Sequence, residues 1–244
     1  MTTLGIVRKN MNEWPTDKKL ILLPGLDGTG LLFKDLITEL PTNCIIQTIC
    51  YPSSQVQTFE EHVQYVLGRL PNNEPFTLLA ESFSGPVAIE VLKARNHQIE
   101  KVIFVASFAK SPRPLLLRLA SRLPFSTLLK WHIPKFLIRY FCLGKNASSE
   151  LIRHFRKTIT VIDPKVLAQR IKIISDIDKT KELQNIIIPC CYIQATHDRL
   201  VHSSALKVFQ YGLKSLTVKK IQGPHFILQA APKEVAKVIC TEIL

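Results

Sequence analysis

Short apolar runs recur along this chain with helical stretches between them, and that alternation restricts the fold more than any other feature. The strand candidates run from Leu20 to Leu23, Cys44 to Cys50, Phe76 to Ala80, Lys101 to Ala106, Ile186 to Gln194 and Leu216 to Ile221. Most are continuous rather than alternating, which is how strands covered on both faces of a parallel sheet read. Between them LLFKDLITEL, TFEEHVQYVLGRL, SGPVAIEVLKAR and SSALKVFQYGL carry helical spacing, and PKEVAKVICTEIL closes the chain. The fold class expected is α/β, a doubly wound and mostly parallel sheet.

The alternation fails between residues 111 and 180. Stretches there, such as PLLLRLASRL, TLLKWHIPKFLIRYF and SELIRHFRKTI, are helical, apolar and basic. The expected organisation is therefore a core made of residues 1–110 and 181–244, with 111–180 inserted as a helical cap. A plainer reading keeps these as ordinary surface helices with solvated basic faces. The formal net charge is +13, and 16 lysines and arginines against five acids lie between Lys110 and Glu182. One segment thus carries most of the basicity.

Charge of this sign raises the question of nucleic acid. No aromatic-basic interleaving, helix-turn-helix or zinc knuckle accompanies it, so no nucleic-acid role is expected. The N-terminal MTTLGIVRKNMNEWPTDKK lacks the apolar stretch of a secretory signal, and no run approaches the ~18 apolar residues of a spanning helix. A cytoplasmic protein, in one version peripheral to a membrane, is expected. The six cysteines form no C-x-x-C pair and have no histidine spacing suited to zinc, so they read as reduced thiols and no metal site is predicted.

Chemistry begins at LILLPGLDGTGLLFKDL, where an apolar strand enters a loop carrying Gly25, Gly28 and Gly30 and leaves on a helix. Such a loop offers backbone NH groups to a phosphate or to an oxyanion. The order G-x-x-G-x-G followed by two leucines fits neither the P-loop nor the dinucleotide fingerprint. No nucleotide cofactor is expected.

A second stretch decides for the oxyanion. After the strand FTLLA comes ESFSGPVAIEVL, with Ala80 and Ser84 as small residues two positions either side of Ser82. This is the pattern of a strained strand-to-helix turn that exposes a nucleophile at its apex. A serine hydroxyl needs a base, and the base needs a group to fix its tautomer. THDRLV places Asp198 after the fifth strand candidate, and QGPHF places His225 after the sixth. Each has a plainer role as well, Asp198 as a helix cap and His225 as a hydrogen-bonded loop residue. His197 is a weaker rival for the base, and Glu81 is either a pocket wall or half of a salt bridge. The oxyanion donors are then the NH groups of Phe83 and Leu26, the latter at the end of PGL.

With LLPGLDGTG, AESFSG, THDRLV and GPHF in this order, the chain resembles the α/β-hydrolase superfamily over nearly its whole length. It is similar to compact serine esterase or thioesterase-like members whose oxyanion loop reads PGLDG. Pro24 stands where a histidine is common, and Ala80 and Ser84 replace elbow glycines. The resemblance implies a Ser82–Asp198–His225 triad that cleaves an ester or thioester through an acyl-enzyme, without a cofactor. Phe125, Trp131 and Phe136 in the cap are candidates for an apolar acyl pocket, which points to lipid metabolism. The basic cap suggests an acidic acyl carrier protein, a carrier-bound or small-molecule acyl substrate, or an anionic membrane surface. The alternative is a catalytically silent member of the fold that binds lipid or acyl groups at a membrane.

Overall fold

The structure is a computed structural model that describes residues 18–95, 98–114 and 133–243. Six strands form one sheet: β1 (Lys19–Leu23), β2 (Ile45–Thr48), β3 (Phe76–Glu81), β4 (Ile99–Val105), β5 (Cys190–Ala195) and β6 (Leu216–Ile221). Their order is β2-β1-β3-β4-β5-β6 and each pairing is parallel. The fold class is thus the one read from the sequence. The run expected to begin its strand at Ile186 does so only at Cys190, because a tight helical turn occupies Glu182–Asn185 and Pro189 has no NH for a ladder.

Alternate residues of the four central strands enter two separate cores. Ile21, Leu23, Leu78, Ala80, Val102, Phe104 and Tyr192 pack on one side against helices α2 (Phe59–Leu67), α3 (Ser84–Arg95) and a helix over Ser204–Gly212. Leu20, Leu22, Leu79, Ile103, Val105 and Ile193 pack on the other, against α1 (Lys34–Glu39) and the C-terminal helix Pro232–Ile243. Burial on both faces explains why the strands read as unbroken apolar runs. It also leaves polar side chains nowhere to converge except at the strand ends.

Between β4 and β5 the described residues are mainly helical. A short helix α4 (Lys135–Leu137) continues into a wider turn over Ile138–Leu143. Next come α5 (Ser149–Thr160), capped by the Ser148 hydroxyl on the Leu151 NH, and α6 (Pro164–Asp176), with Asp163 as cap and Pro164 at its first position. Pro at that position costs no hydrogen bond, since the NH it lacks has no partner inside the helix. The remaining helices are α7 (Ser204–Gly212), α8 (Ile227–Ala230) and α9 (Pro232–Ile243). The α4–α5 segment packs Ile138, Leu143, Ile152 and Phe155 on Leu32 and Phe226, which follow β1 and β6. The described helices α4 and α5 therefore lie over the carboxyl ends of β1 and β6. No helix among the described residues is long and apolar enough to cross a membrane.

Candidate active site

The chain reverses its direction of winding between β1 and β3, which are adjacent while β2 lies outside β1. Loops leaving the carboxyl ends of such a pair diverge and open a crevice. Ser82 stands there, immediately after β3, with φ of 47°. A left-handed conformation is costly for a residue with a Cβ and persists only where the surroundings enforce it. The enforcement is visible. Ser82 NH donates to the Val105 carbonyl at 2.9 Å, and its own carbonyl accepts the Ser107 hydroxyl at 2.8 Å and the Gly85 NH at 3.0 Å. Tyr192 OH in turn donates to the Ser107 carbonyl at 2.6 Å.

The small residues of the elbow have different tasks. A Cβ at Gly85 would lie 1.8 Å from Ser107 Oγ, so the tightest approach of helix to strand is at Gly85 rather than at Ser84. Ser84, fully buried, uses its hydroxyl to donate to the Pro24 carbonyl and to meet Tyr51 OH at 2.6 Å. Ser84 thus ties the turn at Ser82 to the loop after β1.

The three residues expected to act together do meet. His225 Nε2 lies 3.0 Å from Ser82 Oγ, and its Nδ1 lies 2.7 Å from Asp198 Oδ2. Asp198 keeps its orientation because its other oxygen accepts the Leu200 and Val201 NH groups, both at 2.8 Å. With Asp198 accepting from Nδ1, that nitrogen carries the ring proton and the Nε2 lone pair faces the serine hydroxyl. Phe226 stacks edge-on to His225 with centroids 5.4 Å apart and is itself backed by Phe155 of α5. Helix α5 thereby supports the imidazole.

Leu26 and Phe83, expected to supply oxyanion donors, flank Ser82 from the two loops. Among the described residues neither NH is bonded to a protein acceptor. The Phe83 ring is buried against Tyr51 and His62, at centroid distances of 5.9 and 5.2 Å, while its NH lies at the N-terminal end of α3. Burial lowers the His62 pKa, and its Nδ1 is engaged at 2.7 Å with the Thr58 carbonyl. His62 is therefore part of the packing under the turn at Ser82.

The glycine loop after β1 is held from both sides. Gly28 and Gly30 each have φ of 70°, a left-handed conformation that favours glycine. Gly25 has no such need, since a Cβ there would make only ordinary contacts near 3.5 Å. From above, the fully buried Arg170 of α6 donates Nη1 to the Leu26 and Asp27 carbonyls at 3.0 and 2.8 Å, and Nη2 to the Pro52 carbonyl at 2.9 Å. From below, the Gly25 NH donates to Glu81 Oε2 at 3.2 Å.

Glu81 is buried rather than exposed, and among the described residues it forms no salt bridge. It is 3% exposed, and its other oxygen accepts Gln229 Nε2 at 3.3 Å. Burial, with a smaller push from the nearby Asp27, raises its pKa to about 7, against the opposing influence of His225, Gln229 and the Gly25 NH. Of the residues expected to line an acyl pocket, Phe136 is 68% exposed and borders an outer groove on the Asp198 side. Phe125 and Trp131 lie outside the described residues. No grouping of side chains suited to a metal ion occurs among the described residues, and all six cysteines are free.

Comparison with known proteins adds the fold. No family model and no curated protein matches the sequence. Solved structures do match. A lipase-esterase related protein from Clostridium acetobutylicum superimposes with a TM-score of 0.75 at 18% identity, over 94% of this chain and 96% of that one. A hydrolase from Oleispira antarctica gives 0.77 at 14% identity, over 93% and 90%. The enol-lactonase of Burkholderia xenovorans gives 0.72 at 14% identity, over 93% and 90%. The chain has the α/β-hydrolase fold.

Proposed function

We propose that this protein is a serine hydrolase that cleaves a carboxylic ester or thioester with an apolar acyl group, through an acyl-enzyme. The observation that carries the reading is the unbroken hydrogen-bonded series from Ser82 Oγ through His225 to Asp198. Esterase and lactonase names among the structural neighbours support acyl chemistry on this fold.

In the proposed reaction His225 Nε2 takes the Ser82 proton as Oγ attacks the acyl carbon. Asp198 holds the resulting imidazolium through Nδ1. Negative charge then collects on the former carbonyl oxygen, facing the NH groups of Leu26 and Phe83. Collapse of this adduct expels the alcohol or thiol, which takes the proton back from Nε2. Water, deprotonated by the same nitrogen, releases the acid and restores Ser82. No step requires a cofactor or a metal ion.

The apolar acyl group follows from what surrounds the loop. Leu26 packs beside Ile159, Ile162, Val166 and Leu167 of the insertion, which supplies an apolar wall next to one oxyanion donor. Free thiols support a reducing compartment, and hence a cytoplasmic enzyme. A panel of p-nitrophenyl esters and acyl thioesters of increasing length tests the reading. The expected result is turnover whose kcat/KM rises from acetyl to medium-chain acyl groups. Preference for acetyl, or no turnover of any acyl compound, contradicts it.

A further inference from the structure

A second surface lies on the far side of Asp198 from Ser82. An open groove of about 1550 Å³ runs between the α4 segment and the loops after β5 and β6. Its cations are Lys135, Arg139, Lys145 and Arg199, and its acids are Glu234 and Asp198. Both oxygens of Asp198 are already committed to His225 and to two backbone NH groups. Elsewhere some described lysines pair with carboxylates, as Lys101 and Lys219 do with Glu242 and Lys179 with Glu90, and others such as Lys34 and Lys165 take part in no ion pair with a described residue. None of the four groove cations has an acidic partner among the described residues. Arg139 and Arg199 donate only to the Ala147 and Tyr140 carbonyls.

Exposed aromatic rings border the same cations. Phe136, Tyr140 and Phe141 are 68%, 56% and 38% exposed, on a segment only six residues long. Phe136 and Tyr140 are four residues apart and so share one side of the helical turn. Tyr140 is further oriented by the Arg199 guanidinium, 3.7 Å above its ring. Large apolar groups held in water beside unpaired cations mark an interaction surface. A soluble anion of phosphate size would use the cations and leave the rings wet, and the groove is far wider than such an ion. A bilayer bearing anionic headgroups satisfies both sets at once, the lysines and arginines at the charged plane and the rings at the acyl boundary.

We propose that the Lys135–Lys145 segment, with Arg199, docks this protein on an anionic lipid surface. Docking there brings the strand-end crevice close to the phase in which esters with apolar acyl chains are dissolved. It does not require Ser82 to be a nucleophile, so the two readings can fail separately.

The test is co-sedimentation of the whole chain carrying Ser82→Ala with vesicles of phosphatidylcholine, and with vesicles of phosphatidylcholine and phosphatidylglycerol in equal parts. Retention on the mixed vesicles alone, weakened by high salt, is the expected result. The pair Lys135→Glu and Lys145→Glu should lower the partition constant by about tenfold or more, and Phe136→Ser should lower it several-fold with thermal unfolding unchanged. All three residues are exposed and outside the triad. Equal binding to neutral vesicles, no binding to either, or variants that sediment like the parent would overturn the proposal. So would capture of the protein by poly-glutamate in the absence of vesicle binding, which would transfer the surface to an acidic protein partner.

Discussion

Arg170 and Asp27, separated by 143 residues of chain, are joined where the arginine's Nη1 donates to the Asp27 carbonyl at 2.8 Å. The same guanidinium reaches the Leu26 and Pro52 carbonyls, so helix α6 fixes the loop that we propose presents an oxyanion donor. A Cβ on Gly28 would sit 2.4 Å from Nη1, which leaves that position open only to glycine.

Replacing Arg170 by methionine keeps the bulk and removes the donors. Three carbonyls then lose a charged partner in a buried site, and stability should fall by about 3 kcal/mol or more in chemical denaturation. In the folded fraction kcat should drop by about a hundredfold with a smaller change in KM, because a displaced donor weakens the transition state more than the bound substrate. Lysine should not rescue, since an ammonium cannot span three carbonyls in the guanidinium fork. An unchanged kcat in the folded variant would remove Arg170 from the positioning of the loop.

Asp198→Asn should leave the fold intact, because an amide oxygen can still accept from the Leu200 and Val201 NH groups. Its NH₂ cannot accept from His225 Nδ1, so the tautomer that faces Ser82 is lost. Ester turnover should fall by about 10⁴-fold with KM little altered. Steady-state kinetics on a p-nitrophenyl ester checks this.

Glu81 predicts a pH dependence of stability whose sign differs from the usual carboxylate. Its folded pKa, about 7, stands above the ordinary value of 4.5, chiefly because of burial. Between those values the folded chain holds a proton that the unfolded chain has released, so stability falls as pH rises through the window and levels off above it. The full effect is of the order of 3 kcal/mol. Glu81→Gln has no proton to lose there, and its stability relative to wild type should improve steadily between about pH 5 and pH 8. Parallel denaturation curves for the two proteins would show that Glu81 does not titrate in this range.

Ser82 is itself a source of strain. Glycine accepts a φ of 47° without penalty, so Ser82→Gly should raise thermal stability by roughly 1 kcal/mol while abolishing turnover. A Ser82→Gly protein that unfolds at a lower temperature than wild type would mean that the serine's side-chain contacts outweigh its backbone strain.

The central strands were legible because both their faces are buried; the edge strand β6 also falls on Leu216–Ile221 as read, although only Ile221 of it is buried. Ser82, Asp198 and His225 were legible because each stands just after a strand, and strand ends are where a parallel sheet gathers distant residues. The residues that hold them were not, since their partners are backbone carbonyls that leave no pattern in the sequence. Arg170 did leave a trace. It shares the apolar stripe of α6 with Val166, Leu167 and Ile174, and a cation in such a stripe signals a buried partner. Tyr51, Ser107 and Tyr192 left none, because a hydroxyl beside a strand looks the same whether it braces an elbow or only fills space.

The most direct measurement of the central claim is covalent labelling by a fluorophosphonate probe, read by mass spectrometry of the intact protein and of its peptides. The account predicts stoichiometric modification of wild type on Ser82, no labelling of Ser82→Ala, and strongly slowed labelling of His225→Ala. Modification at another residue, or a wild-type protein that stays unlabelled while folded, would contradict it.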